Sequence, residues 1–133
     1  NNLKSKQGWV VAINGAMTHT PNENFTVGGS VNSALENLCK ALSKRGIRDD
    51  VNVNIINPGM TSTERLISII DAAAKRDNIT FEKARQNVLK ASNLKRFSTP
   101  EEVAELTYFL CQEKVRHLNG TSINLDGGIK PTV

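Results

Sequence analysis

The sequence predicts an α/β fold: a doubly wound parallel sheet of three strands with flanking helices. Three short stretches indicate the strands, because each is rich in apolar or β-branched residues and is followed by turn residues: WVVAI at 9–13, VNVNII at 51–56 and TSINL at 121–125. Helical patterns separate these stretches. Strands that alternate with helices are typical of right-handed crossovers between adjacent parallel strands, so we expect helices on both faces of the sheet.

The limits of the strands follow from residues that cannot extend a sheet. The first run, residues 9–13, is continuously apolar and is bounded by Gly8 and Gly15, which predicts a strand buried on both faces. The second should end at Pro58, because proline has no N–H to donate to a neighbouring strand. The third should end at Asp126, whose carboxylate we expect to accept bonds from nearby N–H groups in a turn with Gly127 and Gly128.

The longest helical pattern follows the first strand. Ser30 can cap its start, and Gly46 can adopt the left-handed conformation that ends many helices. The apolar residues of this segment recur at helical spacing and predict a face that covers the sheet: Val31, Ala34, Leu35, Leu38, Ala41 and Leu42.

Three further helical patterns follow the second strand. Two of them, from Glu64 to about Lys75 and from Thr80 to about Ala91, form an excursion away from the sheet. The third begins with the segment STPEEV, in which Thr99 is the N-cap, Pro100 the first helical residue and Glu102 the partner of a capping box. Its apolar face is predicted from spacing: Val103, Leu106, Phe109 and Leu110.

The length of 133 residues fits one compact domain, and no change of composition divides it. A parallel sheet of only three strands leaves a long apolar edge unpaired. We therefore expect residues 1–133 to form part of a single domain, with further strands that precede residue 1.

Composition and charge argue against several classes of partner. The net charge is +4, but the cations lie near predicted helix ends. Lys44, Arg45, Arg48, Lys75 and Arg76 lie in last turns, where they complement the helix dipole, while Lys95 and Arg96 precede a helix. A solvated surface is favoured over a nucleic-acid interface. No apolar run approaches the roughly 20 residues that a membrane span needs, and no signal peptide is visible, so we expect a cytoplasmic protein. Cys39 and Cys111 are expected to be buried reduced thiols, and no metal site is expected.

The segment NPGMTST at 57–63 is a candidate ligand site, because open α/β sheets bind ligands at the carboxyl ends of their strands. Pro58 and Gly59 would let the backbone approach a flat ring, and Thr61 and Thr63 could bind a carboxamide or a phosphate. Alternatively, Pro58 and Gly59 only turn the chain and Thr63 caps the next helix. The spacing does not decide between the two.

Other candidate residues carry weaker signals. The segment GGSVN at 28–32 could hold an anion at a helix N-terminus, but a tight turn explains it more simply. His19 and His117 have no acidic or cysteine partner at useful spacing and are expected at the surface. Tyr108 has Gln112 four residues later and is expected to pack within its helix.

Taken together, these blocks resemble the C-terminal half of short-chain dehydrogenase/reductases. The matching blocks extend over nearly the whole chain: GWVVAIN at 8–14, SALENLCKALSKRGI at 33–47, VNVNIINPGMTST at 51–63, KRFSTPEEVAELTYFL at 95–110 and NGTSINLDGG at 119–128. The resemblance implies an NAD(P)-dependent oxidoreductase in which the three strands are the fifth to seventh of a Rossmann sheet and residues 64–92 are a helical insert that covers substrate. It also implies NAD or NADP as cofactor and a homodimer or homotetramer. The family's pyrophosphate-binding loop would lie in an N-terminal half that this sequence does not contain.

The same resemblance assigns the cofactor site and the catalytic positions. Pro58, Gly59, Thr61 and Thr63 match the family's nicotinamide site, with Asn32 as a further contact to the ribose. The family's catalytic Ser, Tyr and Lys fall on Gly15, Gly28 and Asn32, none of which can ionise. The wider Tyr–Lys spacing of enoyl reductases would place Phe25 at the tyrosine and Asn32 again at the lysine. The resemblance thus implies no catalytic residue in this chain, and either an impaired oxidoreductase or a non-catalytic binding or scaffolding subunit.

Overall fold

The structure is a computed structural model that describes residues 7–131. Strands β1 (Gly8–Ile13), β2 (Val51–Pro58) and β3 (Ser122–Leu125) form one parallel sheet in the order β1-β2-β3. Ile13 lies opposite Ile56, and Asn57 opposite Asn124. The prediction of three parallel strands is confirmed, while the strands expected before residue 1 lie outside the described residues.

Four helices accompany the sheet: α1 (Thr26–Asp49), α2 (Glu64–Arg76), α3 (Phe81–Ala91) and α4 (Pro100–Leu110). Short 3-10 turns lie at Ala16–His19, Glu23–Phe25 and Glu113–Val115. Each of the predicted helices is present. In the part of the chain that the structure describes, no helix is long and apolar enough to cross a membrane.

Alternate residues of β2 face opposite sides of the sheet. On one side, Val53 and Ile55 form a buried cluster with Cys39 of α1. On the other side, the side-chain amides of Asn52 and Asn54 both donate to the carbonyl of Leu118, at 2.8 Å and 2.9 Å. These bonds attach the segment after α4 to the strand. The predicted covering of both faces is confirmed, because α4 also packs against β1 and β2.

Helices α2 and α3 pack against each other in a second apolar cluster. Its buried members come from both helices and from the segment before α4: Ile70, Ala74, Ala84, Leu89 and Phe97. The two helices therefore hold together through their own core. That they cover substrate, as predicted for residues 64–92, stays a prediction.

The predicted limits of α1 are wrong at both ends. The helix begins at Thr26, and the Ser30 hydroxyl donates to the Thr26 carbonyl within the first turn instead of capping it. Gly46 is helical and buried, and the left-handed residue is Asp50, with φ of 58°. A Cβ on Gly46 would overlap the carbonyl oxygen of Val51 and lie 3.2 Å from its carbonyl carbon. Gly46 therefore permits close contact of helix and strand.

The predicted apolar face of α1 is only partly correct. Leu35 and Cys39 pack against the sheet, but Val31, Leu38 and Leu42 are 60%, 53% and 45% exposed. The helix carries two apolar faces, and only one contacts the sheet. Among residues 7–131, β1 pairs with β2 alone.

Two further burial predictions are also wrong in this structure. On β1, which lies at the edge of the described sheet, Val10 and Ile13 are half exposed instead of buried on both faces. Tyr108, predicted to pack within its helix, is 67% exposed, whereas Leu110 of the same helix is buried. Cys39 is buried as predicted, while Cys111 is only half buried, and both are free thiols.

The capping box at the start of α4 is confirmed. The Thr99 hydroxyl accepts from the Glu102 N–H at 3.3 Å, and the Glu102 carboxylate accepts from the Thr99 N–H at 2.8 Å. Arg96 also binds the Glu102 carboxylate through two parallel bonds of 2.7 Å. This side chain therefore joins the preceding loop to the helix.

Glu102 makes the stability of the protein sensitive to acid. The bonds from Arg96, and then from the Thr99 N–H, lower the pKa of Glu102 from 4.5 to about 2. Because the folded pKa is depressed, this stabilisation is present above pH 4.5 and is lost as the pH falls towards 2. Glu102→Gln should reduce the loss of stability between pH 4.5 and 2, measured by urea unfolding at a series of pH values. Glu105→Gln, at an exposed position of the same helix, is the control and should leave the slope unchanged.

Candidate functional site

A cleft of about 730 Å³ lies at the carboxyl ends of β1 and β2. Its lining includes four of the residues predicted to bind cofactor, Pro58, Gly59, Thr61 and Thr63, together with Gly15. The remaining lining is largely apolar and comes from the β1–α1 loop, α2, α3 and the segment after β3: Ala16, Met17, Phe25, Met60, Leu66, Ile69, Ile70, Val88 and Ile129. The position and size are those of small-molecule sites in open α/β sheets.

The backbone at Gly59 is held close to the chain that follows β3. The Gly59 N–H donates to the Leu125 carbonyl at 3.0 Å. A Cβ on Gly59 would lie 2.9 Å from both Cα and Cβ of Asp126, so a larger residue would force these segments apart. As predicted, the Asp126 carboxylate accepts hydrogen bonds from backbone N–H groups of the following turn, those of Gly128 at 2.9 Å and Lys130 at 3.1 Å.

Both threonines have partners within the protein. The Thr61 and Ser98 hydroxyls lie 2.9 Å apart, where the two residues form a short parallel bridge. The Thr63 hydroxyl caps α2 by accepting from the Leu66 N–H at 3.5 Å. The capping alternative for Thr63 is thus correct, but accepting a bond leaves its own O–H free to donate to a ligand.

The positions assigned to the catalytic Ser and Lys are adjacent in space. A Cβ on Gly15 would lie 2.8 Å from Nδ2 of Asn32. A serine at 15 would therefore require the Asn32 amide to move. Asn32 does not itself line the cleft, whereas Gly15 does.

The position assigned to the catalytic Tyr is covered by an aromatic ring. A Cβ on Gly28 would lie 2.7 Å from Cε2 of Phe25 and closer still to two other ring carbons. Phe25 lines the cleft and is 40% exposed. The space in which a side chain at 28 would begin is therefore filled by Phe25.

The sequence reasoning missed Asn14, which also lines the cleft. Its amide nitrogen lies within hydrogen-bonding distance of three oxygens that share its two N–H groups: Thr18 Oγ1 at 3.0 Å, the Asn32 carbonyl at 3.2 Å and Asn57 Oδ1 at 3.0 Å. Its own Oδ1 is buried without a partner among the described residues. The Asn57 amide in turn donates to Ser122 Oγ at 2.8 Å, so one polar chain runs from the end of β1 through β2 to the first residue of β3. An asparagine directly after each of two apolar strand segments was the available signal.

His19 has the acidic partner that the sequence reasoning did not find. Its Nε2 contacts the carboxylate of Glu36 on α1, and its Nδ1 lies 3.2 Å from Nζ of Lys130. The residue is exposed, as predicted, and so is His117. None of the three residues of this cluster, His19, Glu36 and Lys130, lines the cleft.

Charge is sparse in the cleft. Arg65 is the one charged residue among the described residues that line it. Within residues 7–131, no group of three or more His, Cys, Asp or Glu could hold a metal ion. The cleft can therefore offer backbone, hydroxyl and amide groups and an apolar wall, but its described part contains no carboxylate, imidazole, phenol or amine for proton transfer.

The sheet and this cleft define a class: doubly wound α/β proteins that bind ligands at the ends of their strands. The model of the family described as enoyl-(acyl carrier protein) reductase matches residues 1–130. The NADPH-dependent reductase BacG of Bacillus subtilis (strain 168) is 30% identical over 121 residues, which are 91% of this chain and 47% of BacG.

Two solved structures have the same fold over nearly the whole chain. L-sorbose reductase from Gluconobacter frateurii, complexed with NADPH and L-sorbose, is 27% identical with a TM-score of 0.88, over 95% of this chain and 49% of that one. YwfH, an NADPH-dependent reductase involved in bacilysin biosynthesis, is 28% identical with a TM-score of 0.82, over 92% of this chain and 47% of that one.

The chain belongs to the short-chain dehydrogenase/reductase family. It spans about half the length of the curated relatives that it matches. The resemblance stated from the sequence is confirmed, and the fold is the Rossmann-like fold of that family.

Proposed function

We propose that this chain forms part of an NAD(P)-dependent oxidoreductase, in which it supplies the nicotinamide end of the cofactor site. The observation that carries the proposal is the meeting of Pro58, Gly59, Thr61 and Thr63 in one cleft at the strand ends. Relatives that are NADPH-dependent reductases support it. An N-terminal half of the fold, with the pyrophosphate-binding loop, is the partner that the proposal requires.

In this proposal each residue has a defined contact. The backbone at Pro58 and Gly59 lies against the nicotinamide ring, and the Thr61 and Thr63 hydroxyls bind its carboxamide or the adjoining phosphate. Asn32 can hydrogen-bond a ribose hydroxyl, but its neutral amide lowers no neighbour's pKa. The bound cofactor would supply the hydride, and this chain would position it.

Fluorescence titration with NADH and NADPH tests the proposal. Thr61→Val should weaken binding about 2- to 13-fold, the range for one hydrogen bond. Ser98→Ala is the matched control, because it removes the same Thr61–Ser98 contact but retains the Thr61 hydroxyl. Equal effects of the two variants, or no binding of either nucleotide by the protein, would contradict the proposal.

The second candidate function is a non-catalytic binding or scaffolding subunit. It is favoured by Gly15, Asn32 and Gly28, to which the family resemblance assigns the positions of the three catalytic groups, and by the Phe25 ring over Gly28. In this alternative the cleft retains a ligand but transfers no proton. Nucleotide binding without turnover would favour it over an active enzyme.

A homodimer or homotetramer is part of the proposal. The outer face of α1 exposes Val31 and Leu38, and α4 exposes Tyr108, which are large apolar groups that a second copy could cover. Leu38→Glu should convert the assembly to monomer in light scattering, whereas Asn37→Glu, at the exposed neighbouring position, should not. A monomeric parent protein would contradict this part of the proposal.

We also place the protein in the cytoplasm, because Cys39 and Cys111 are free thiols and reduced thiols are typical of that compartment. Cell fractionation tests this location. Recovery of the protein from a secreted fraction would contradict it.

A further inference from the structure

The cleft has an apolar wall whose members remain exposed to solvent. Ile69 of α2 is 54% exposed and Phe25 is 40% exposed, although both line a concave surface. Met17 and Val88 extend the same wall from the β1–α1 loop and α3. Exposed apolar groups that converge on one concavity, instead of lying scattered, are typical of a ligand site.

The polar side chains at this site are mostly engaged within the protein. Thr61 is paired with Ser98, Thr63 caps α2, and the amide hydrogens of Asn14 already bond to oxygen acceptors. Apart from Asn14 Oδ1, which has no partner among the described residues, and Arg65, few polar groups are left for a substrate beyond those assigned to the nicotinamide end. The part of the ligand that contacts Phe25 and Ile69 must therefore be apolar.

Phe25 occupies a special place in this wall because Gly28 lies beneath it. The ring overlaps the position of a Cβ at residue 28, so it can lie there only while residue 28 has no side chain. Gly29, the next residue, is different: its Cβ would meet only the Met17 carbonyl oxygen, at 3.7 Å. The Phe25 ring can thus occupy its position in the wall of the cleft only because residue 28 is glycine.

We propose that the cleft binds a substrate with an apolar chain or ring, and that Phe25, seated on Gly28, determines the length of apolar group it accepts. This inference rests on the proposed function for the location of the substrate beside the nicotinamide. Phe25 acts as a specificity-determining wall and takes no part in proton transfer.

The test uses straight-chain methyl ketones from 2-pentanone to 2-undecanone, with dissociation constants from NMR titration and NADPH binding measured separately. In the parent protein, affinity should rise about fourfold per added methylene, the value for burial of one CH₂, until the chain reaches the wall. Phe25→Leu should move this limit to longer ketones. Gly28→Ala should change the limit because it displaces the ring, whereas Gly29→Ala should not.

The outcomes separate the two proposals. If NADPH binds but ketone affinity is independent of chain length, or if Phe25→Leu leaves the limit unchanged, the inference is overturned and the proposed function stands. If the ketones bind with a limit set by Phe25 but neither nucleotide binds, the inference stands and the proposed function fails. If Gly28→Ala does not fold, Phe25→Leu decides, since it leaves residue 28 unaltered.

Discussion

A variant that carries Gly15→Ser, Gly28→Tyr, Asn32→Lys and Phe25→Ala is expected to turn over NADPH about 10²–10⁴-fold faster than the parent protein, the usual contribution of general acid–base catalysis. Phe25 must be shortened because its ring fills the space where the tyrosine side chain would begin. The serine requires only that the side chain at 32 move, and the lysine replaces that side chain. NADPH absorbance with a panel of ketones and enones measures the rate.

The control is the triple variant that retains Phe25. It should gain little, because the tyrosine introduced by Gly28→Tyr and the Phe25 ring compete for one volume. If the parent protein already reduces a substrate as fast as the quadruple variant, then Gly15, Gly28 and Asn32 do not impair this site. An active triple variant would show that the Phe25 ring moves aside easily, and would contradict the steric argument.

Gly46→Ala is expected to destabilise the protein by about 1–3 kcal/mol, the range for overpacking a buried site. Alanine is preferred over glycine in a helix by about 1 kcal/mol, so propensity alone predicts the opposite sign. The added Cβ overlaps the Val51 carbonyl oxygen at the start of β2, which is backbone and cannot rotate away as a side chain could. Chemical unfolding followed by circular dichroism gives the free energy of unfolding.

Gly29→Ala provides the matched comparison in the same helix. Nothing lies closer than 3.7 Å to its Cβ beyond the helix's own backbone and the neighbouring residues, so the variant should be as stable as the parent or more so. A Gly46→Ala protein stabilised to the same extent as Gly29→Ala would show that α1 is free to shift away from β2.

Much of the fold follows from local signals in the sequence. Apolar runs ended by turn residues predicted the strands, and the segment STPEE predicted the capping box of α4, since each depends on neighbours along the chain. The cleft was also predictable in position, because strand ends in a parallel sheet share one edge. Pro58 and Thr63 therefore lie where the sequence placed them.

The remaining errors concern contacts between distant segments. The helical spacing of apolar residues includes both Leu35 and Leu38 of α1, but it does not indicate which of the two packs against the sheet. Gly46 was predicted to end the helix because glycine often does so. In the structure, glycine is required at 46 because the Val51 carbonyl of β2 lies too close for a side chain. The pairing of His19 with Glu36 likewise depends on how the β1–α1 loop folds back over the helix.

The polar chain through Asn14, Asn57 and Ser122 also protects the alignment of the strands. Asn57 is 1% exposed, and its amide has partners only when Asn14 and β3 stand beside it. A slip of one residue between strands would turn its side chain to the other face and leave buried polar atoms unbonded. Misaligned forms of the sheet are thereby disfavoured, so the two strand ends that border the cleft meet in a single arrangement.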